Sequence, residues 1–166
     1  IIISLRAPIS LGFNSYAWYS INFEKSIDRW INNDEAIHSK NVIKNDVLSH
    51  LKDLNIDNHS AYLLGFSQGA ILSWTVGIEN SNLIKNILPL SGFYHSQITD
   101  TDLKPKYKLN CFSSHGVNDP IIPINWARKG IRDLKKNNIN IFFKEYDSGH
   151  EISNENLKDI IYWLNN

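Results

Sequence analysis

The sequence lacks the features that mark several classes of protein. Its 166 residues contain no methionine, and its single cysteine, Cys111, excludes an internal disulfide framework. Basic and acidic residues balance at 17 each, and no basic stripe favours nucleic acid as a partner. The longest apolar stretches have the length of strands, so we expect no membrane span.

What is present is typical of a globular α/β protein. Hydrophobic residues make up 42% of the chain, which predicts a sizeable core and a single domain over residues 1–166. Short apolar runs alternate with segments of helical periodicity and short connections. This alternation predicts a three-layer fold, with a mostly parallel sheet and helices on both faces.

The first half of the chain contains three clear patterns. The β-branched run from Ile1 to Leu5 predicts a strand buried on both faces. A helix is predicted over about 34–54 from apolar residues at helical spacing, which are Ile43, Val47, Leu51 and Leu54. A strand, a turn and a helix are then predicted over about 61–79.

The residue pattern in the second half of the chain predicts strands near 86–91 and 109–112, another strand over 141–146, and two helices. The inner face of the first helix is predicted to contain Trp126, Ala127, Ile131 and Leu134. The second helix, beginning near Ser153, is predicted to bury Leu157, Ile160, Ile161 and Leu164. Cys111 is most simply a buried strand residue.

The most informative segment runs from Gly65 through Ser67 to Gly69, between an apolar strand and a helix. A Gly-x-Ser-x-Gly turn in this position is typical of the nucleophile elbow of serine hydrolases. The glycines permit a strained turn that lifts the serine hydroxyl clear of the sheet. The amide of Gln68, at a helix N-terminus, is placed to stabilise an oxyanion.

Two later loops supply the partners that such a serine needs. Asp119 and His150 each follow a strand-like run, and Ser, Asp, His is the chain order of an α/β hydrolase. Taken singly, Asp119 fits an ordinary Asn-Asp-Pro turn, and His150 fits a surface position in a glycine-containing turn. Their order and shared position after strands favour a catalytic triad with Ser67. His115 competes for a mechanistic role, but its place beside the Asp119 loop favours packing or hydrogen bonding there.

Several segments together resemble one family. They are the elbow from Leu64 to Ser73, Leu90 to Phe93, the loop from Ser114 to Pro123, and Ser148 to Ile152. In combination they are similar to the phospholipase/carboxylesterase family of α/β hydrolases, which includes the acyl-protein thioesterases. The resemblance implies an α/β-hydrolase fold, a triad of Ser67, Asp119 and His150, and Gln68 as an oxyanion donor.

One family feature has no counterpart in this sequence. Family members carry a His-Gly-x-Gly loop after an early strand, and its backbone supplies the second oxyanion donor. We therefore expect the N-terminal strands of the fold to be missing and these residues to be the larger part of a longer enzyme. The missing strand would leave a gap beside the elbow strand. Loss of one oxyanion donor costs about 3 kcal/mol of transition-state stabilisation.

These observations predict a serine hydrolase that cleaves carboxylic esters or thioesters through an acyl-enzyme. The chemistry requires no metal and no cofactor. Because the histidine must be neutral to act, activity should fall below about pH 6.5. The alternative is a catalytically weak or silent binding domain of the same fold, since the second oxyanion loop is absent.

The substrate side of the site is predicted from aromatic and apolar residues. Trp18 and Tyr19 lie in an aromatic segment that either leans over the site or covers a sheet edge. Ile121 and Ile122, just after Asp119, are further candidates for the pocket. The expected ligand is a small or lipid-like acyl ester, and the expected location is cytoplasmic. Oligomeric state is left open.

Overall fold

The structure is a computed structural model that describes residues 1–23, 26–27, 30–54, 61–100 and 108–165. Its backbone contacts divide the chain into two compact units, Ile1–Ile56 and Asp57–Asn166. The second unit contains the elbow and both partner loops. No helix in the described ranges combines the length and apolar character that crossing a membrane requires.

The first unit opens with an antiparallel hairpin of strands β1 (Ile9–Gly12) and β2 (Ser15–Ala17). Its turn holds Gly12, Phe13 and Asn14 at positive φ angles of 83°, 48° and 59°. Glycine and asparagine tolerate this region better than other residues, which explains a reversal at this point of an otherwise extended segment.

Helix α1 (Asn33–Asp53) completes the first unit and confirms the helix predicted over 34–54. Its first turn contains two acidic residues, Asp34 and Glu35, whose charges interact favourably with the positive end of the helix dipole. Ile43 is buried, as its spacing predicted, whereas Leu54 follows the end of the helix and is exposed.

The predicted strand over the first five residues is wrong. Residues 1–7 have no regular secondary structure, and the side chains of Ile1 and Ile2 are 92% and 97% exposed. A strand requires hydrogen bonds to a neighbour, and pairing in the described part of this unit begins only at β1. A β-branched run is therefore not sufficient to make a strand.

The second unit contains a parallel sheet whose strands lie in sequence order. The strands are β3 (Tyr62–Phe66), β4 (Asn86–Leu90), β5 (Asn110–Gly116) and β6 (Ile141–Tyr146). The helices are α2 (Gln68–Glu79), α3 (Ile124–Lys136) and α4 (Asn154–Asn165). These elements confirm the predicted alternation and the mostly parallel sheet.

Helices cover both faces of this sheet. All five residues of β4 are buried, and consecutive residues of a strand point to opposite faces. On one face, Gly77 of α2 approaches Ile87 so closely that an added Cβ would lie 2.5 Å from its Cγ2 atom. On the other face, Leu88 packs with Ile160 of α4 in a buried cluster. The predicted three-layer arrangement is therefore confirmed for this unit.

Strand β3 lies at one end of the sheet, and no strand among the described residues pairs with its outer edge. Tyr62 and Leu64 on this strand are about half exposed. The expected gap beside the elbow strand requires a second strand on its far side, and the strand predicted over residues 1–5 is not formed. In the described residues β3 is therefore an end strand of the sheet and not one side of a gap.

Helix α3 buries Ala127, Ile131 and Leu134 as predicted. Trp126 is only partly buried, and its ring packs edge-on against Phe93 with ring centroids 5.4 Å apart. Its contact is thus with the segment that follows β4.

Helix α4 is turned differently from the prediction. Ile160 is buried, but Leu157, Ile161 and Leu164 are exposed. The stripe that faces the sheet consists of Asn156, Ile160 and the partly buried Trp163. The amide of Asn156 donates a 2.9 Å hydrogen bond to Ser114 Oγ on β5, and this buried polar contact lies on the face of the helix that meets the sheet.

The adjacent isoleucines of α4 test this rotation. We expect Ile160→Ala to lower the free energy of unfolding by about 3 kcal/mol, because it leaves a cavity against the sheet. Ile161→Ala, whose side chain is 51% exposed, should change it by less than about 1 kcal/mol. Urea unfolding of both variants measures the difference, and equal losses would contradict the packing described.

Cys111 gives a chemical test of burial in β5. Desolvation raises the pKa of its thiol to about 12, and the thiolate is the reactive form. We expect iodoacetamide at pH 8 to leave the native protein unmodified and to alkylate it in denaturing urea. Rapid alkylation of the native protein, followed by mass spectrometry, would show that β5 is accessible.

Candidate active site

Ser67 occupies the turn between β3 and α2. Its backbone has φ 56° and ψ −118°, a strained conformation for a residue with a side chain. The Ser67 N–H donates to the carbonyl of Leu90 at the end of β4, at 3.0 Å. Its own carbonyl accepts the N–H of Ala70 at 3.0 Å, in the first turn of the helix. These bonds hold the strained turn in place.

Gly65, two residues before Ser67, is required by close packing. A Cβ on Gly65 would lie 2.2 Å from the carbonyl oxygen of Gly69 and 2.5 Å from Ser73 Oγ. A second close approach comes from Gly92, where a Cβ would lie 2.6 Å from Ala70 Cβ. Gly92 has no role in the sequence prediction, although Leu90 to Phe93 belongs to the family resemblance.

His150 joins the serine to the aspartate. Its Nε2 lies 2.9 Å from Ser67 Oγ, and its Nδ1 lies 2.7 Å from Asp119 Oδ2. The side chain of Asp119 is fully buried, and that of His150 is 17% exposed. The ring of Phe66 packs against the imidazole at a centroid distance of 4.9 Å and limits its rotation.

These contacts assign the tautomer of His150. A carboxylate only accepts hydrogen bonds, so the proton of the neutral ring lies on Nδ1 and is donated to Asp119. Nε2 then has a free lone pair and accepts the hydroxyl proton of Ser67. This is the arrangement that a general base requires.

Asp119 is held by its own loop as well as by His150. Its Oδ1 accepts the backbone N–H groups of Ile121 and Ile122, each at 2.8 Å. His115 contributes a further contact: its Nε2 lies 2.8 Å from the carbonyl of Ile122 and 3.3 Å from Asp119 Oδ2. Burial lowers the pKa of His115. The expected hydrogen bonding of His115 beside the Asp119 loop is thus present.

The loops that carry Asp119 and His150 contact each other along their backbones. A Cβ on Gly116 would lie 2.2 Å from the carbonyl oxygen of Gly149. Val117 N–H donates to Tyr146 O at 2.8 Å, and the Asn118 side chain donates to Asp147 Oδ1 at 2.8 Å. The sequence prediction contains no role for Gly116, although Ser114 to Pro123 belongs to the family resemblance.

The remaining predicted site residues differ in their surroundings. Gln68 is the first residue of α2, directly after the serine. Ile121 is 43% exposed, whereas the adjacent Ile122 is fully buried, so Ile121 presents more surface to a ligand. Trp18 and the fully buried Tyr19 belong to the first unit, and their predicted pocket role stays a prediction.

Metal-binding groups are not clustered in the described part of the chain, where no three His, Cys, Asp or Glu side chains are grouped to hold an ion. The fold and the serine–histidine–aspartate arrangement are those of the α/β hydrolases.

Solved structures share this fold. Esterase PE8 matches with a TM-score of 0.84 at 21% identity, covering 96% of this chain and 75% of that one. A carboxylesterase from Mesorhizobium loti matches with a TM-score of 0.79 at 14% identity, covering 96% of this chain and 73% of its own. The chain therefore has an α/β-hydrolase fold.

Sequence comparison identifies the family. The family model described as Phospholipase/Carboxylesterase matches residues 4–166. Acyl-protein thioesterase 1 of Kluyveromyces lactis is 27% identical over 172 residues, covering 97% of this chain and 73% of the relative. Acyl-protein thioesterase 1 of Candida albicans is 27% identical over 170 residues, covering 97% and 74%. The chain belongs to the phospholipase/carboxylesterase family, and it is a hydrolase of the carboxylesterase/thioesterase class.

Proposed function

We propose that this protein cleaves carboxylic esters or thioesters with Ser67 as nucleophile, His150 as general base and Asp119 as the orienting acid. The observation that carries the proposal is the unbroken chain of hydrogen bonds from Ser67 Oγ through both ring nitrogens of His150 to Asp119 Oδ2. All three residues lie after strands of one parallel sheet, where α/β folds place their active sites.

The first half of the reaction follows from these contacts. His150 Nε2 takes the proton of Ser67 Oγ as the oxygen attacks the substrate carbonyl. The imidazolium that forms is stabilised by the charge of Asp119 through the Nδ1–H bond. The tetrahedral intermediate then expels the alcohol or thiol, which receives the proton from Nε2, and the acyl group stays on Ser67.

Water completes the cycle at the same base. His150 Nε2 removes a proton from a water molecule as its oxygen attacks the acyl-enzyme. The second tetrahedral intermediate collapses, the carboxylic acid leaves, and the proton returns to Ser67 Oγ. Both intermediates carry a negative oxygen, which the Gln68 amide at the N-terminus of the 12-residue helix α2 is proposed to stabilise.

The substrate is proposed to be a small or lipid-like acyl ester or thioester. The apolar side chain of Ile121 supports this, because it is partly exposed and its N–H is bound to Asp119. The names of the relatives include both thioesterases and carboxylesterases, which supports both classes of leaving group. A cytoplasmic location is proposed with it, since Cys111 is a free, buried thiol suited to a reducing compartment.

Replacing the nucleophile tests the proposal. We expect Ser67→Ala to lower kcat/KM on p-nitrophenyl esters by about 10³-fold or more and to abolish labelling by a fluorophosphonate. A series from acetate to octanoate also measures the preferred acyl length. Equal turnover by Ser67→Ala and the wild type would refute the assignment of Ser67. An inactive, unlabelled wild type would favour the silent binding domain instead.

Replacing the acid tests the second hydrogen bond. We expect Asp119→Asn to lower kcat by about 10³-fold or more. The amide favours the wrong tautomer of His150, and it does not stabilise the imidazolium that forms during the reaction. Asp147→Asn is the matched control, since Asp147 lies on the neighbouring loop and contacts Asn118 rather than His150. Steady-state kinetics of both variants decides, and comparable losses would count against a special role for Asp119.

A further inference from the structure

A second histidine lies behind the proposed catalytic aspartate. His115 is on β5, four residues before Asp119, and both side chains are fully buried. The proposed proton transfers between Ser67 and His150, with Asp119 as the orienting acid, do not involve His115. Burying an imidazole that lacks a hydrogen-bond partner is unfavourable. The contacts of His115 therefore indicate what the residue does in this position.

One of the two ring nitrogens of His115, Nε2, faces the aspartate and its loop. Nε2 lies 2.8 Å from the carbonyl oxygen of Ile122 and 3.3 Å from Asp119 Oδ2, and both of those oxygens only accept. The proton of the ring is therefore on Nε2. This N–H group is donated to the loop backbone, and it lies beside the same carboxylate oxygen that accepts from His150 Nδ1.

Oδ2 of Asp119 lies close to both histidines. The Nε2–H group of His115, 3.3 Å from Oδ2, partly offsets the negative charge of that oxygen, so Oδ2 attracts the Nδ1–H of His150 less strongly. The bond to the Ile122 carbonyl also holds the loop whose two amides fix Oδ1. His115 thus acts on both the orientation and the charge of Asp119.

We propose that His115 is a positioning residue for the reaction, acting through Asp119 on the proton affinity of His150. The inference rests on the proposed function of Ser67, His150 and Asp119. In this role the buried His115 of β5 adjusts the general base, His150, without contact with the substrate.

Other charged groups near His115 are few. Glu145 lies beside it in register on β6. The carboxylate of Glu145 is paired with Arg128 of α3 at 2.6 Å, and this hydrogen bond lowers the pKa of Glu145. Within the described part of the chain, the titratable groups that face His115 are Asp119, His150 and the paired Glu145, and the Asp119 carboxylate lies 3.3 Å from its Nε2.

Three substitutions of His115 separate the effect of its Nε2 donor from the effect of burying a side chain at this position. In His115→Gln the side-chain nitrogen occupies the place of Nε2 and keeps the donor. In His115→Asn the nitrogen corresponds to Nδ1, so a polar group remains but the donor to the Ile122 carbonyl, which lies beside Asp119, is lost. His115→Leu removes all hydrogen bonding at similar volume. If the Leu variant does not fold, the comparison of Gln with Asn decides.

The readout is the pH profile of kcat/KM on a p-nitrophenyl ester. We expect the Asn and Leu variants to lose about tenfold in kcat/KM. The midpoint of the acid limb should move up by about half a unit, because the less neutralised Asp119 holds the imidazolium of His150 more tightly. The Gln variant should retain the wild-type midpoint and most of the rate.

A control and a contrary outcome complete the test. His95→Leu removes another buried imidazole, one that packs on Phe93 at 5.9 Å. It should affect thermal unfolding without moving the acid limb. Wild-type midpoints in all three His115 variants, with Ser67→Ala inactive, would overturn the inference and leave the proposed function standing. An active Ser67→Ala would instead remove the proposed function on which the inference rests.

Discussion

The arrangement of the site depends on the buried carboxylate of Asp119. A charge that is removed from water must be compensated by hydrogen bonds, and an uncompensated one is strongly destabilising. Here the two oxygens have donors from His150 and from the amides of two consecutive isoleucines, and Nε2 of His115 lies 3.3 Å from Oδ2. The conformation of the loop after β5 therefore satisfies the carboxylate. That conformation brings His150 to hydrogen-bonding distance of Ser67.

Close backbone contacts make this conformation reachable. Gly65 allows the strand before the serine to lie against Gly69, and Gly116 allows the Asp119 loop to lie against Gly149. At each point an added Cβ would lie 2.2 Å from a carbonyl oxygen, closer than packed atoms approach. The strained φ of Ser67 is held by the same packing, which illustrates how a fold stores local strain at a site.

Local patterns predicted the elements that interact mainly with their sequence neighbours. The strand–turn–helix around Ser67 and the helix α1 are formed as expected, because turn chemistry and helical spacing are encoded within a few residues. The run from Ile1 to Leu5 failed for the opposite reason. A strand depends on a partner elsewhere in the chain, and a local apolar pattern contains no information about that partner.

Buried polar residues account for the other differences. Hydrophobic periodicity assigned Leu157 and Ile161 to the core, but both are exposed, and α4 is turned so that the amide of Asn156 reaches Ser114. His115 is likewise a polar residue in a core strand, and its partners lie on the Asp119 loop. Patterning places such residues on the surface, whereas a satisfied hydrogen bond stabilises them inside. Both residues connect β5 to the segments that flank His150 and Asp119. Ser114 and His115 are polar positions of β5, and their contacts near the site are ones that hydrophobic patterning does not predict.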